Sequence, residues 1–277
     1  MTLSMRNRFF KSGIFAAALM LIAVLAVILF ILPLFSGLTV EASRRTSGIL
    51  QGAASHFFSP SLNAPFASTT AAVVYALVCL ILIHHFFEKT NAPEILFVAI
   101  FILSLAFEGI RFMVPLKMVY GLPGLYLAMS FRILIFARYA GIFSLFIASI
   151  CAAGLEVQEH RYVFLIIAAS SLVIALGIPI DTLAWDSSLG VITGYGMMFK
   201  IVETGIALIT VLSFLIAAYT RGSKEYILIG TGAALAFLGR NILLATDTWL
   251  TPLPGLLFLV LGTWFICTQL HRVYLWL

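Results

Sequence analysis

The sequence predicts an all-α fold: a polytopic membrane helix bundle of about eight transmembrane helices with both termini cytoplasmic. Three observations predict it. Of 277 residues, 62% are hydrophobic and only 10% are charged. Mean hydropathy is +1.13. Apolar runs of about 20 residues, the length that crosses a hydrocarbon core of about 30 Å, recur between polar breaks. A soluble domain carries roughly 45–50% apolar and about 25% charged residues. Disordered chains, basic nucleic-acid-binding domains and disulfide-stapled secreted folds are excluded, because each needs more polar surface or more cysteine.

Eight runs meet the length criterion, at about residues 14–35, 66–87, 95–114, 130–152, 162–180, 197–219, 226–246 and 255–270. The first follows Arg6, Arg8 and Lys11 and carries no charge from Ile14 to Phe35. That outlasts the 7–15 apolar residues of a cleavable signal, so 1–36 reads as a retained signal-anchor helix. Val40-Glu41-Ala42 resembles a small-residue cleavage site, and cutting there leaves seven spans. Residues 37–65 read as a short extracytoplasmic segment and 66–272 as a seven-helix bundle, all within one membrane domain spanning 1–277.

The formal net charge of +5 matters through its distribution. A cytoplasmic amino terminus puts Arg6, Arg8, Lys11, Lys89, Arg161, Arg221, Lys224 and Arg272 inside, against Arg44, Arg45 and Lys117 outside. The positive-inside rule favours that orientation. Asn91-Ala92-Pro93-Glu94 reads as a helix start, with Asn91 as cap and Glu94 reaching back to the orphan amides. Gly121-Leu122-Pro123-Gly124 and Pro252-Leu253-Pro254-Gly255 read as turns before the fourth and eighth runs. Matches between 94–124 and 225–255 fit either a three-one-three duplication or chance in Ala/Leu/Gly/Phe-rich text.

The informative residues are charges inside the spans. Glu108, Arg138, Glu203 and Arg240 fall at a common distance from the outer ends of four runs, about 9 Å deep at 1.5 Å per residue. Arg111, Arg132 and Lys200 lie nearer the interface, where long basic side chains snorkel. Glu108 with Arg111, and Lys200 with Glu203, are spaced i to i+3 and share a helix face. With Asn241 beside Arg240, four helices contribute to one polar layer of five basic and two acidic groups, a sum of +3. A mid-span charge costs about 2.5–3.5 kcal/mol, so these side chains should turn inward. Two readings stand: an ion-pair clamp that fixes helix register, or a site whose guanidinium forks bind an anionic or lipid-like ligand.

Other candidates read as structural. His84 and His85 with Glu88 resemble half a metal site, but neighbouring histidines point to different helix faces. Asp181, Asp186 and Asp247 beside Trp185 and Trp249 fit an aromatic belt with capping carboxylates. Gly205, Gly230, Gly232 and Gly239 fit close helix packing. Cys79, Cys151 and Cys267 read as small buried hydrophobes. There is no H-E-x-x-H, G-x-S-x-G or Walker lysine, and no lysine in the eighth run for a retinal Schiff base. The layout is similar to that of seven-helix bacterial sensor modules, but no motif is shared, so no family is assigned.

These observations lead to a non-enzymatic sensing or partner-binding module of the cell (inner or plasma) membrane, with a charged outer-leaflet site for an anionic or lipid-like ligand. The alternative is a small transporter for such a substrate. No catalytic residue, metal or cofactor is expected. The expected partners are the lipid bilayer and a membrane or cytoplasmic protein, with no nucleic acid.

Overall fold

The computed structural model describes residues 3–31, 63–88, 90, 92–154, 160–246 and 248–275. Within the described residues, each of the eight apolar runs falls mostly on helix: α1 (Leu3–Phe30), α2 (Asn63–Phe87), α3 (Pro93–Ala106) continuing into α4 (Met113–Tyr120), α5 (Gly124–Ala152), α6 (His160–Gly177), α7 (Gly196–Arg221), α8 (Glu225–Leu244) and α9 (Pro252–Leu275). Among the described residues, seven helices are long and apolar enough to cross a membrane, with α3 and α4 counted as one; the apolar part of α6, Tyr162–Gly177, is shorter. The proposed cleavage site, Arg44 and Arg45 and nearly all of the 37–65 segment lie outside the described residues, as do Lys89, Asn91 and Asp247.

Helix α1 begins well before the apolar run, so Arg6, Arg8 and Lys11 lie on it rather than ahead of it. Arginine and lysine are good helix formers. Arg6 also finds acceptors at the end of α2, donating to the carbonyls of Phe87 at 2.7 Å, Glu88 at 3.0 Å and Thr90. These are carbonyls that a helix C-terminus leaves without intrahelical partners. The ring of Phe87 in turn lies 5.6 Å from His271 of α9. The start of α1 and the end of α9 therefore share one end of the bundle, called here the terminal end.

Between α3 and α4 the backbone tightens into a 3-10 segment, Phe107–Phe112. Pro115 follows in the first turn of α4. Proline has no N–H for the carbonyl four residues back, here that of Arg111, and its ring crowds that carbonyl, so regular α-helix cannot continue through the site. At the start of α3 the N-cap position belongs to Ala92, with no side-chain cap and Pro93 following. Glu94 does reach back to an orphan amide, its own, and its buried carboxylate also accepts a 2.7 Å hydrogen bond from Tyr274 of α9.

The connection from α6 to α7 is not a plain loop. It forms an antiparallel hairpin of β1 (Ile180–Trp185) and β2 (Val191–Thr193) at the end opposite the termini. Its turn is closed by Asp186 N–H to Gly190 O at 2.6 Å and Leu189 N–H to Asp186 O at 3.0 Å. Leu189 adopts the left-handed region (φ 59°) with its side chain buried.

Lipid competes with side chains for apolar contact, so bundle helices depend on close packing. Helices α8 and α9 show it best. A Cβ on Gly239 would stand 2.4 Å from Leu259 N, and one on Gly232 would stand 2.7 Å from Gly262 O. Gly205 is different: a Cβ there meets nothing within 4 Å, so its expected packing role is withdrawn. Midway along the bundle, Phe101 and Phe237 meet edge to face at 5.8 Å among buried Leu105, Leu145 and Phe214. That dry core separates the charged groups at the two ends.

Candidate functional site: a buried charged layer

Glu108 is the centre of the layer. It sits on the 3-10 segment, is 0% exposed, and accepts from two arginines. Arg111, one 3-10 turn later, donates Nε to Oε2 at 2.9 Å. The tightened backbone favours this pair, because residues i and i+3 eclipse in a 3-10 helix. Arg138, on α5, donates Nε to Oε1 and Nη2 to Oε2, both at 2.7 Å. This is the paired fork geometry that makes arginine and carboxylate strong partners.

Arg111 has a second task. Its Nη1 donates to Ser188 O in the hairpin turn at 3.0 Å and to Leu244 O at the end of α8 at 2.9 Å. A single buried guanidinium thus joins the third span, the hairpin and α8, with Glu108 neutralising its charge.

The other half of the layer is looser. Arg240 of α8 is 2% exposed, and its Nη1 reaches Glu203 Oε2 of α7 at 3.5 Å and Asn241 Oδ1 at 3.3 Å, both at the long limit of a hydrogen bond. The side chains of Arg138 and Glu203 each stay 25% exposed. Arg138 Nη1 makes no hydrogen bond among the described residues. The layer is sealed around Glu108 and open on the side of Glu203.

Two expected members stand apart. Lys200 is exposed and does not pair with Glu203, whose carboxylate turns to Arg240 instead. The one-turn spacing allows that pair, but an exposed ammonium gains little from it. Arg132 donates Nη1 to Ala175 O at 2.9 Å and Leu176 O at 2.8 Å, satisfying the last carbonyls of α6 rather than joining the layer. The convergent charges are then Arg111, Arg138 and Arg240 against Glu108 and Glu203, three positive and two negative, a sum of +1 in place of the expected +3. Helix α5 also begins earlier than its apolar run, at Gly124, so Arg138 lies deeper along its helix than counting from that run suggests. Contact, not distance from the helix ends, puts these groups on one level.

Sequence reasoning missed a second polar cluster at the terminal end. Besides the bond from Tyr274 to Glu94, Arg221 of α7 donates to the Tyr226 hydroxyl at 3.0 Å and lies 5.3 Å from that ring, with Cys151 O at 3.5 Å. The signal was present in the spacing: Glu94 and Glu108 are fourteen residues apart, four turns along one face. It was hidden because Glu94 opens its helix and matches a capping pattern.

Of the remaining candidates, His84 lies 6.2 Å from the Phe10 ring and His85 lies 5.4 Å from that of Phe86. Among the described residues, no group of three or more His, Cys, Asp or Glu side chains is arranged to hold a metal ion. Cys79, Cys151 and Cys267 are free thiols. Asp186 accepts from Ser187 N–H at 2.7 Å, which orders the hairpin turn.

Comparison with protein-family models, with curated proteins and with solved structures finds no match to this chain.

Proposed function

We propose that this chain is a non-enzymatic, multi-pass membrane module that senses or binds an anionic or lipid-like ligand through Arg138 and Arg240, and passes its state to a protein partner. One observation carries the reading: three buried or half-buried arginines face only two glutamates, with an open edge at Arg138. An uncompensated positive charge at membrane depth is costly, and a carboxylate or phosphate entering beside Arg138 Nη1 neutralises it. The 3.5 Å contact between Arg240 and Glu203 is the one such a ligand displaces most easily. Glu108 then positions Arg138 and Arg111 rather than exchanging protons. In this reading the hairpin end faces outward and the terminal end is cytoplasmic, in keeping with the distribution of basic residues.

The route to a partner runs through Arg111. A ligand that draws Arg138 away from Glu108 alters the pairing of Arg111, which also holds the hairpin turn and the end of α8.

The test is binding of anionic against zwitterionic lipid to the purified chain in nanodiscs. Arg138→Leu and Arg240→Leu should lose the preference for anionic headgroups by a larger factor than they lose abundance. Variants that fail to accumulate, with wild type showing no preference, identify the layer as a structural clamp.

A transporter is the second reading, favoured by the cluster of Glu94, Arg221, Tyr226 and Tyr274 at the far end of the same helices. It requires the core at Phe101, Phe237 and Phe214 to part. Uptake of an anionic solute into proteoliposomes, lost in Arg138→Leu, would support it over the sensing module.

A further inference from the structure

Helix α2 forms one wall of a groove of about 750 Å³ that shares no residue with the charged layer. The lining on α2 repeats at helical spacing through Asn63, Ala67, Thr70, Ala71, Val74 and Val78, with Leu256 and Val260 of α9 opposite and Trp249 at the mouth. No lining residue is charged. We infer that this groove binds one acyl chain of a membrane phospholipid, lying along α2 with its headgroup at the Trp249 end.

Dimensions decide between a lipid chain and a protein helix. From Asn63 to Val78 the groove runs about 22 Å at 1.5 Å per residue, a long, narrow shape that suits an extended hydrocarbon chain. The surface that lines it is far smaller than the roughly 800 Å² per partner of a stable protein interface. Half the hydrocarbon slab is about 15 Å, so a chain entering at the hairpin end reaches past the midplane along the groove. Trp249 is part-exposed at the mouth, where an indole suits the boundary between headgroups and hydrocarbon. The Thr70 hydroxyl is already bonded to Phe66 O at 2.7 Å, so the wall presents little unmet polarity to a hydrocarbon chain.

The experiment is native mass spectrometry of the full chain released from detergent containing phosphatidylcholine. Wild type should retain one phospholipid per chain. Ala71→Trp, which fills the groove midway, should reduce that occupancy about tenfold, as should Val78→Trp at its deep end. Leu208→Trp, on the lipid-facing side of α7, should leave it unchanged. Equal retention in wild type and both groove variants overturns the inference, as does a wild type that retains no phospholipid. A wild-type dimer that Ala71→Trp converts to monomer also overturns it, since a second copy then fills the groove. Because the probe lipid is zwitterionic and the groove shares no residue with the charged layer, failure here is distinct from failure of the anion-binding reading.

Discussion

Arg138 lays one edge of its guanidinium against Glu108, with Nε on Oε1 and Nη2 on Oε2, both at 2.7 Å. The acid is fully buried and the arginine is not. That asymmetry gives the two side chains unequal weight: Glu108 holds two cations at once, whereas Arg138 shares its anion with Arg111.

Glu108→Gln should therefore destabilise the bundle more than Arg138→Gln. Removing the acid leaves Arg111 and Arg138 without their counterion, and breaking a buried pair in that way costs about 3–5 kcal/mol. Removing Arg138 leaves Glu108 bonded to Arg111 at 2.9 Å, and the loss should be nearer the roughly 1.5–3 kcal/mol of hydrogen bonds to a charged group. Unfolding of each variant by SDS in mixed micelles measures the order. A reversed order would mean that the layer is not organised around the acid.

The role of Arg111 as a tie is open to a separate measurement. Replacing it with Met removes the donor to Ser188 O and Leu244 O while keeping an apolar side chain of similar reach. The hairpin turn then loses a charged hydrogen bond of about 1.5–3 kcal/mol. Amide exchange at Asp186 and Leu189, whose N–H groups close that turn, should accelerate by about 10- to 100-fold. Unchanged exchange at those amides would show that the hairpin holds itself closed without the arginine.

Gly239 and Gly205 lie on neighbouring helices and should respond oppositely to alanine. At Gly239 the new methyl meets the backbone of Leu259, which cannot rotate away, so α8 and α9 must separate at an expected cost of about 1–3 kcal/mol. At Gly205 it meets open space, and alanine should be neutral or stabilise by up to about 1 kcal/mol through helix propensity. The same SDS titration distinguishes them, and equal losses at both sites would contradict the packing described for α8 on α9.

The sequence makes the helices legible because twenty-residue apolar runs have few alternatives, and it makes Glu108, Arg138, Glu203 and Arg240 conspicuous because charge in such runs is costly. Partner choice was not legible. Lys200 and Glu203 share a helix face, yet Glu203 turns across to α8, and Arg132 finds helix-end carbonyls that spacing along its own chain does not reveal. The 3-10 segment had a local cause in Pro115, but which turn would tighten depends on Glu108 and Arg111 pairing there. The hairpin was missed because β1 is mixed in polarity and β2 is three residues long, too short for alternation to register.

At the terminal end, Tyr274 donates its hydroxyl to Glu94 at 2.7 Å, joining the last turn of α9 to the first turn of α3. Glu94 is 2% exposed, so the bond satisfies an acceptor that lipid or packed side chains cannot. Tyr274→Phe leaves the buried carboxyl without this donor and should cost about 1–3 kcal/mol. Glu94→Gln keeps an acceptor oxygen for the hydroxyl and should cost less. In Tyr274→Phe the bond is already absent, so adding Glu94→Gln should cost less there than it does in the wild type, with a coupling of about 0.5–3 kcal/mol. Limited proteolysis of the α9 end should follow the same order, fastest in Tyr274→Phe. Strict additivity in the SDS titration would mean that the contact does not contribute to holding α9 against α3.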